Sequence, residues 1–269
     1  MVTFPNCKIN LGLRILQKRE DGYHNIETVF FPLPFFDILE VISSDKTDLK
    51  NTGISAGKTE DNLCLKAYYL LKKDFPELPQ IQMHLHKTIP IGAGLGGGSA
   101  DAAFTLLLLN KKYDLKISQQ RIFEYALKLG SDCPFFIINK PVFATGRGEK
   151  MKELDISLSD YKILIINPGI HINTKEMFQK VSPVAAKKSI NEIISQPIET
   201  WKNELVNDFE EIVFLQHSQI KKIKKKLYDH NAIYASMTGT GSTVFGIFNP
   251  SYETNLPVEK GYFYKWINL

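Results

Sequence analysis

The chain of 269 residues contains only three cysteines, Cys7, Cys64 and Cys133, at wide and odd spacing. That excludes a disulfide framework and a zinc site built on paired cysteines, and it points to a reducing compartment. No apolar run approaches the ~18 residues of a membrane-spanning helix, and Met1-Val2-Thr3-Phe4-Pro5 shows no signal-peptide pattern. A cytoplasmic protein with no membrane partner is expected. An excess of one charge is also missing. The 33 basic and 29 acidic residues leave +4, which favours anionic substrates mildly and is no nucleic-acid footprint. The run Lys221-Lys222-Ile223-Lys224-Lys225-Lys226 reads as a solvated helix face anchored by Ile220, Ile223 and Leu227, so no nucleic acid is expected. Metal ligands are sparse: His84 and His86 share a strand face without an evident third ligand, and no metal site is assigned. Internal repeats and low-complexity segments are absent. The remaining composition, 43% hydrophobic and 23% charged, suits one large or two modest globular domains.

Glycine is distributed unevenly. Five glycines fall within seven residues in Pro90-Ile91-Gly92-Ala93-Gly94-Leu95-Gly96-Gly97-Gly98-Ser99-Ala100. The stretch lies between an alternating run (Ile81, Met83, Leu85) and a helical run from Ala102 to Leu109. Such a cluster costs backbone entropy, so it answers a need for positive φ or for close backbone approach to a ligand. A glycine-rich turn entering a helix offers free N–H donors at the positive end of the helix dipole, which is an anion site, most often for phosphate.

Strands are expected at 7–15, 23–31 and 38–42, then a polar loop at 45–58 and a helix at 61–75. The first strand should be half-buried, presenting Lys8 and Asn10 side by side on its polar face. Beyond the glycine turn, helices are expected to about residue 110 and from the cap Ser118 to Gly130. A strand pair at 135–138 and 142–145 should follow, then a boundary near 150–160. The second half predicts a strand at 161–166, helices at 174–181, 203–215 and 218–229, and strands at 232–237, 243–248 and 261–267. The class is α+β, since βα units do not alternate regularly.

Elimination narrows the glycine turn. A Walker loop needs Gly-Lys-Ser/Thr, whereas Gly98 is followed by Ser99-Ala100. The spacing Gly92-x-Gly94-x-x-Gly97 fits a dinucleotide fold, but a second helix, not a strand, follows the first. Neither His-Arg-Asp nor Asp-Phe-Gly follows, which excludes the protein-kinase pattern. A phosphate cradle of another topology remains. Phosphoryl transfer then needs charge neutralisation and a group acting on the acceptor hydroxyl. Asp132, in a short loop between Gly130 and Pro134 at a helix C-terminus, is either that carboxylate or a turn aspartate. Lys8 is either its partner or a solvated strand residue.

Together these stretches resemble the galactokinase, homoserine kinase, mevalonate kinase and phosphomevalonate kinase (GHMP) superfamily. The glycine turn resembles its ATP loop, and Met237-Thr238-Gly239-Thr240-Gly241-Ser242-Thr243-Val244-Phe245 its second glycine motif. Pro5-Asn6-Cys7-Lys8-Ile9-Asn10-Leu11, Arg19-Glu20-Asp21-Gly22-Tyr23-His24, Gly130-Ser131-Asp132-Cys133-Pro134-Phe135 and Asn167-Pro168-Gly169 point to the branch acting on cytidylyl-methylerythritol. The resemblance implies a two-domain GHMP kinase fold with domains at 1–153 and 154–269. The first would be ribosomal-protein-S5-domain-2-like and the second a ferredoxin-like α/β sandwich, with the active site in the cleft between them. It implies ATP-dependent phosphorylation of the substrate's 2-hydroxyl in the non-mevalonate isoprenoid route, with Mg²⁺ accompanying ATP, by a monomer or weak homodimer. Lys8 and Asp132 fall at the family's catalytic positions. Asn10, Tyr23, His24, Thr174 and Phe178 fall at its substrate positions, and Asn62, Lys87 and residues 90–100 at its ATP positions. The alternatives are a homoserine- or mevalonate-type kinase and a non-catalytic nucleotide-binding module. Cys7 and Cys133, beside the two catalytic positions, are read as packing residues.

Overall fold

The computed structural model describes residues 1–54, 61–183, 187–253 and 255–269, so the end of the polar loop expected at 45–58 lies outside the described residues. In chain order the strands are β1 (Val2–Thr3), β2 (Asn6–Lys18), β3 (His24–Phe36), β4 (Ile38–Ser43), β5 (Asp48–Gly53), β6 (Ile81–Lys87), β7 (Val142–Gly146), β8 (Lys150–Glu153), β9 (Lys162–Asn167), β10 (Tyr234–Met237), β11 (Val244–Phe248) and β12 (Phe263–Asn268). The helices are α1 (Leu63–Asp74), α2 (Gly97–Lys112), α3 (Gln119–Leu129), α4 (Cys133–Ile138), α5 (Thr174–Lys180), α6 (Ile190–Ile194), α7 (Trp201–Glu204), α8 (Phe209–Gln216) and α9 (Ser218–Asp229).

Two compact units form. The first holds Met1–Cys7, Phe35–Ile91 and Gly96–Lys140; the second holds Lys8–Pro34, Gly92–Leu95 and Pro141–Leu269. They interleave in sequence because β2 and β3 share a sheet with β7 and β8. The division at 153 is therefore a proposal about family domains, distinct from these units.

In the first unit a sheet of order β1-β4-β6-β5 carries α2, on which α1, α3 and α4 pack. Alternation along β6 buries Ile81, Met83, Leu85 and Lys87 on one face, so the lysine points into the core side. Asn62 caps α1, its Oδ1 accepting from Cys64 N–H at 2.8 Å, and Ser118 caps α3 as expected. Two expectations fail here. The polar stretch 45–58 contains strand β5, parallel to β6, whose hydrogen bonds outweigh its poor apolar pattern. The expected strand 135–138 is helix α4, packed on α2 and α3 and buried at Cys133, Pro134, Phe135, Phe136 and Ile137. A short continuous apolar run fits a buried strand or a buried helix turn equally, and Pro134 in the first turn favours the helix.

The second unit has two antiparallel sheets, β2-β3-β7-β8 and β10-β11-β9-β12. Its core includes Leu13, Ile15, Leu164, Phe209, Ile220, Leu227 and Phe248. Strand β2 is buried on both faces from Asn6 to Ile15, not on one. Gly12 explains part of this: a Cβ there would lie 2.7 Å from Leu205 Cδ1. Arg14, on the face expected to be polar, donates to the carbonyls of Lys188 and Glu204. The expected helix 203–215 is two helices, α7 and α8, interrupted where Asn207 bridges to Leu13. Its side chain accepts from Phe209 N–H at 3.0 Å and donates to the carbonyls of Met237 and Gly239. The basic helix α9 buries Ile220, Ile223 and Leu227 as its pattern predicts; Lys221, Lys222 and Lys225 are exposed, whereas Lys224 is half-buried and donates to Glu210 Oε2 at 2.5 Å.

Candidate active site

The glycine turn adopts conformations that require glycine. Gly92, Gly94 and Gly96 have φ of 62°, 79° and 72°, the left-handed region that other residues enter at a cost. In the second unit this turn packs on the second glycine motif. A Cβ on Gly94 would lie 2.1 Å from the carbonyl oxygen of Thr238, and one on Gly239 would lie 3.2 Å from Gly94 Cα. Thr243 N–H donates to Ala93 O at 3.3 Å, and Leu95 O accepts from Lys8 N–H at 2.9 Å.

In the first unit Gly96 caps α2, whose first intrahelical bond runs from Ala100 N–H to Gly96 O at 2.9 Å. The amides of Gly97, Gly98 and Ser99 therefore lack intrahelical acceptors, and no acidic residue occupies that first turn. Dipole and donors together favour an anion there. Pro90 and Ile91 lead in, Ile91 exposed; Ala100 is buried against the helix core.

Beneath that turn lies a buried charge cluster. Lys87 Nζ donates to Asp37 Oδ2 and, at 2.7 Å, to Asp101 Oδ2. Asp37 Oδ1 accepts from the N–H groups of Thr88 and Ile89 at 2.6 and 2.9 Å, which fixes the chain just before the glycine turn. A Cβ on Gly97 would meet Ile89 Cγ2 at 2.9 Å and Lys87 Nζ at 3.3 Å. Burial pulls the Lys87 pKa down, but Asp101 and Asp37 outweigh it and hold the ammonium above its ordinary value. Burial pushes Asp101 up, against the pull of Lys87. Lys87 is thus held under the turn by two carboxylates, and Asp37 was missed from sequence. Its only signal there is a single carboxylate among apolar neighbours where one strand passes into the next.

In the second unit Lys8 is buried with Asn10. Lys8 Nζ donates to Asn10 Oδ1 at 2.6 Å and to Gly94 O at 3.1 Å, and lies 5.2 Å from the Phe30 ring centroid. Asn10 Nδ2 donates to Thr28 Oγ1 at 2.9 Å, and the single Thr238 Oγ1 proton is within reach of two acceptors, Asn10 Oδ1 at 3.2 Å and Gly94 O at 3.1 Å. The structure therefore joins Lys8, Asn10 and both glycine motifs, and adds Thr28 and Thr238. Thr238 lies within the second glycine motif but has no role assigned from sequence, and Thr28 does not stand out, because hydroxyls are common on strands.

Asp132 belongs to the first unit. The sequence puts it at a helix C-terminus, but it also begins α4, as the residue before Cys133. Its backbone, not its side chain, caps that helix, with Phe135 N–H donating to Asp132 O at 3.2 Å. Its neighbour Cys133 is buried, which pushes the thiol up to about 12, and hydrogen-bonds with Ser99 of the glycine turn.

A second cluster of the second unit holds aromatic side chains. His24 stacks on Phe178, centroids 5.5 Å apart and planes at 29°, and Phe178 meets Phe209 edge-on at 4.9 Å. His24 is buried, with no partner for its Nδ1 among the described residues, and burial followed by Lys18 lowers its pKa. Tyr23 is 50% exposed. Thr174 opens α5 and its Oγ1 lies 3.0 Å from Thr240 Oγ1. Among the described residues no group of three His, Cys, Asp or Glu side chains could hold a metal ion. His84 and His86 instead share Thr52 Oγ1, at 2.8 and 2.9 Å.

Residues 62–140 match the GHMP kinases N terminal domain and residues 188–256 match GHMP kinases C terminal. The chain is 49% identical over 255 residues to a 4-diphosphocytidyl-2-C-methyl-D-erythritol kinase of Bacteroides fragilis, covering 93% of each chain. It is 50% identical over 262 residues to the protein of that name from Bacteroides thetaiotaomicron, covering 96% of this chain and 94% of the other. A crystal structure of 4-(cytidine 5'-diphospho)-2C-methyl-D-erythritol kinase superposes with a TM-score of 0.79 at 29% identity, over 92% and 90% of the two chains.

Proposed function

The chain belongs to the 4-diphosphocytidyl-2-C-methyl-D-erythritol kinases, within the GHMP kinases, and on that footing we propose that it transfers the terminal phosphoryl group of ATP to the 2-hydroxyl of that cytidylyl-methylerythritol. The observation that carries the substrate class is the stacked pair His24–Phe178 beside an exposed Tyr23, with a buried histidine nitrogen that has no partner among the described residues. A flat heterocycle with hydrogen-bonding edges suits such a place, since stacking on an aromatic contributes about 1–3 kcal/mol per base. Thr174 serves the substrate phosphates.

ATP is the phosphoryl donor. Its phosphates lie along residues 90–100, toward the amides of Gly97, Gly98 and Ser99, and Lys87 acts beneath the turn by holding its shape. Asn62, with Oδ1 committed to capping α1, offers its Nδ2 to the adenine. Mg²⁺ enters with the nucleotide, neutralising phosphate charge when bound. Such an ion keeps most of its waters and takes phosphate oxygens as ligands, so it needs few protein side chains.

Asp132 accepts the proton of the acceptor hydroxyl, and the Lys8 ammonium favours the charge that develops on that oxygen. Asn10 serves the substrate through Lys8, whose ammonium it fixes together with Gly94 O. The family domains 1–153 and 154–269, which contain the two matched segments, the cytoplasmic location and a monomeric or weakly dimeric state belong to the same proposal. No described helix is long and apolar enough to cross a membrane.

The deciding assay offers ATP with cytidylyl-methylerythritol, homoserine or mevalonate in parallel. Phosphorylation of the first is expected. Turnover of only the other two would overturn the reading.

A further inference from the structure

The exposed Tyr23 ring is not a free-standing side chain. The register of β3 on β7 pairs Ile26 with Gly146, which brings the turn between β7 and β8 alongside residues 23–25. That turn is tight: Gly146 and Gly148 have φ of 70° and 107°, and Gly148 N–H donates to Thr145 O at 3.1 Å. Arg147 is the one side chain between them. Its N–H donates to Glu149 Oε2 at 2.5 Å, and its guanidinium carbon lies 3.7 Å from the Tyr23 ring centroid. The hairpin end is pinned from the other side too. Arg19 Nε donates to both oxygens of Asp21, at 3.1 and 3.0 Å, and Asp21 Oδ1 accepts from Tyr23 N–H at 3.1 Å.

We propose that Arg147 is a positioning residue for substrate: it covers one face of Tyr23 and leaves the other face to receive the pyrimidine. This rests on the functional reading above. Ordering an exposed aromatic on binding costs conformational entropy, and a ring already held in place avoids that loss. The planar guanidinium suits the task because it can lie flat on a ring while its edges hydrogen-bond elsewhere; an ammonium cannot. The positive charge on one face also draws on the ring quadrupole, the attraction expected of a cation at this distance.

The test compares R147A, R147K, Y23A and the double variant Y23A/R147A. It measures KM for cytidylyl-methylerythritol, KM for ATP, kcat, and calorimetric binding of cytidine 5'-diphosphate. Arg147→Ala and Arg147→Lys should each raise the substrate KM and weaken nucleotide binding roughly three- to tenfold, with kcat and the ATP KM unchanged. Adding Arg147→Ala to Y23A should change either value less than about twofold. An unchanged or lower substrate KM in R147A would mean the guanidinium covers the face the base needs, and would overturn the proposal. Equal losses with and without Tyr23 would overturn it as well, assigning Arg147 to direct substrate contact. Wild-type protein that binds the cytidine nucleotide but phosphorylates no cytidylyl substrate would refute the activity alone, while the binding measurements still decide the role of Arg147. Wild-type protein that binds none would overturn both.

Discussion

Gly94 rests against the carbonyl oxygen of Thr238 so closely that a Cβ would come within 2.1 Å of it. The two glycine motifs, more than a hundred residues apart, are in backbone contact, and the φ of Gly94 is 79°. Gly94→Ala should therefore cost about 1–2 kcal/mol in backbone strain alone, plus displacement of the turn. Gly98, by contrast, lies in the first turn of α2, and among the described residues the nearest contact to its Cβ position is Leu63 Cδ1 at 4.0 Å. Gly98→Ala should leave stability equal or raise it by up to about 1 kcal/mol. Thermal unfolding of the two variants would show a drop for the first and none for the second.

Removing the Lys87 ammonium strands two buried carboxylates, Asp37 and Asp101. Lys87→Met should destabilise the protein by about 3–5 kcal/mol, seen as a lower urea midpoint. Adding Asp101→Asn should restore part of that loss, because one uncompensated charge is removed. A Lys87→Met variant of wild-type stability would dismiss the cluster as a structural support of the glycine turn.

The two proposed catalytic side chains differ from that cluster in what they should disturb. Asp132→Ala should lower kcat about 10²–10⁴-fold while nucleotide binding, measured by calorimetry, persists. Lys8→Ala should act in the same direction and also free Asn10 Oδ1 and Gly94 O of their shared donor. Unchanged kcat in either variant would remove that residue from the reaction.

His24 predicts a pH dependence with a definite sign. Its pKa in the folded protein lies below the ordinary value of about 6.5, chiefly because burial disfavours the charged ring. Between the lowered and the ordinary pKa the unfolded chain binds more protons, so stability rises with pH through that window. The contribution is complete above the ordinary pKa and is lost as pH falls through the lowered one. Urea midpoints from pH 5 to 8 should show this slope in the wild type and a flatter one in His24→Gln. If the ring serves the pyrimidine in its neutral form, the substrate KM should also climb on the acid side.

Parts of this molecule were readable because local chemistry and tertiary structure agree. Ser118 caps α3, and the pattern of Ile220, Ile223 and Leu227 orients α9. The same local reasoning failed at 135–138, where an unbroken apolar run carries no period, and at 48–53, where a polar strand is held by the ladder of its neighbour. In the site, Lys8, Asn10, Tyr23 and His24 were visible through motif resemblance. Asp37, Thr28 and Arg147 were not, since each is an ordinary residue made important by what lies across from it.

By itself the sequence determined the order of the strands and helices it read correctly, the place of the glycine turn, and the buried face of α9 through the spacing of Ile220, Ile223 and Leu227. Those follow from periodicity and backbone chemistry, which act over a few residues. Tertiary structure alone decided the partners: Lys87 with carboxylates 50 and 14 residues away, and Asn10 with Thr238 across 228 residues. Alternation reports which face of an element avoids water. It does not report what covers that face, because burial is the same whether the neighbour is a leucine, a carboxylate or the next glycine turn.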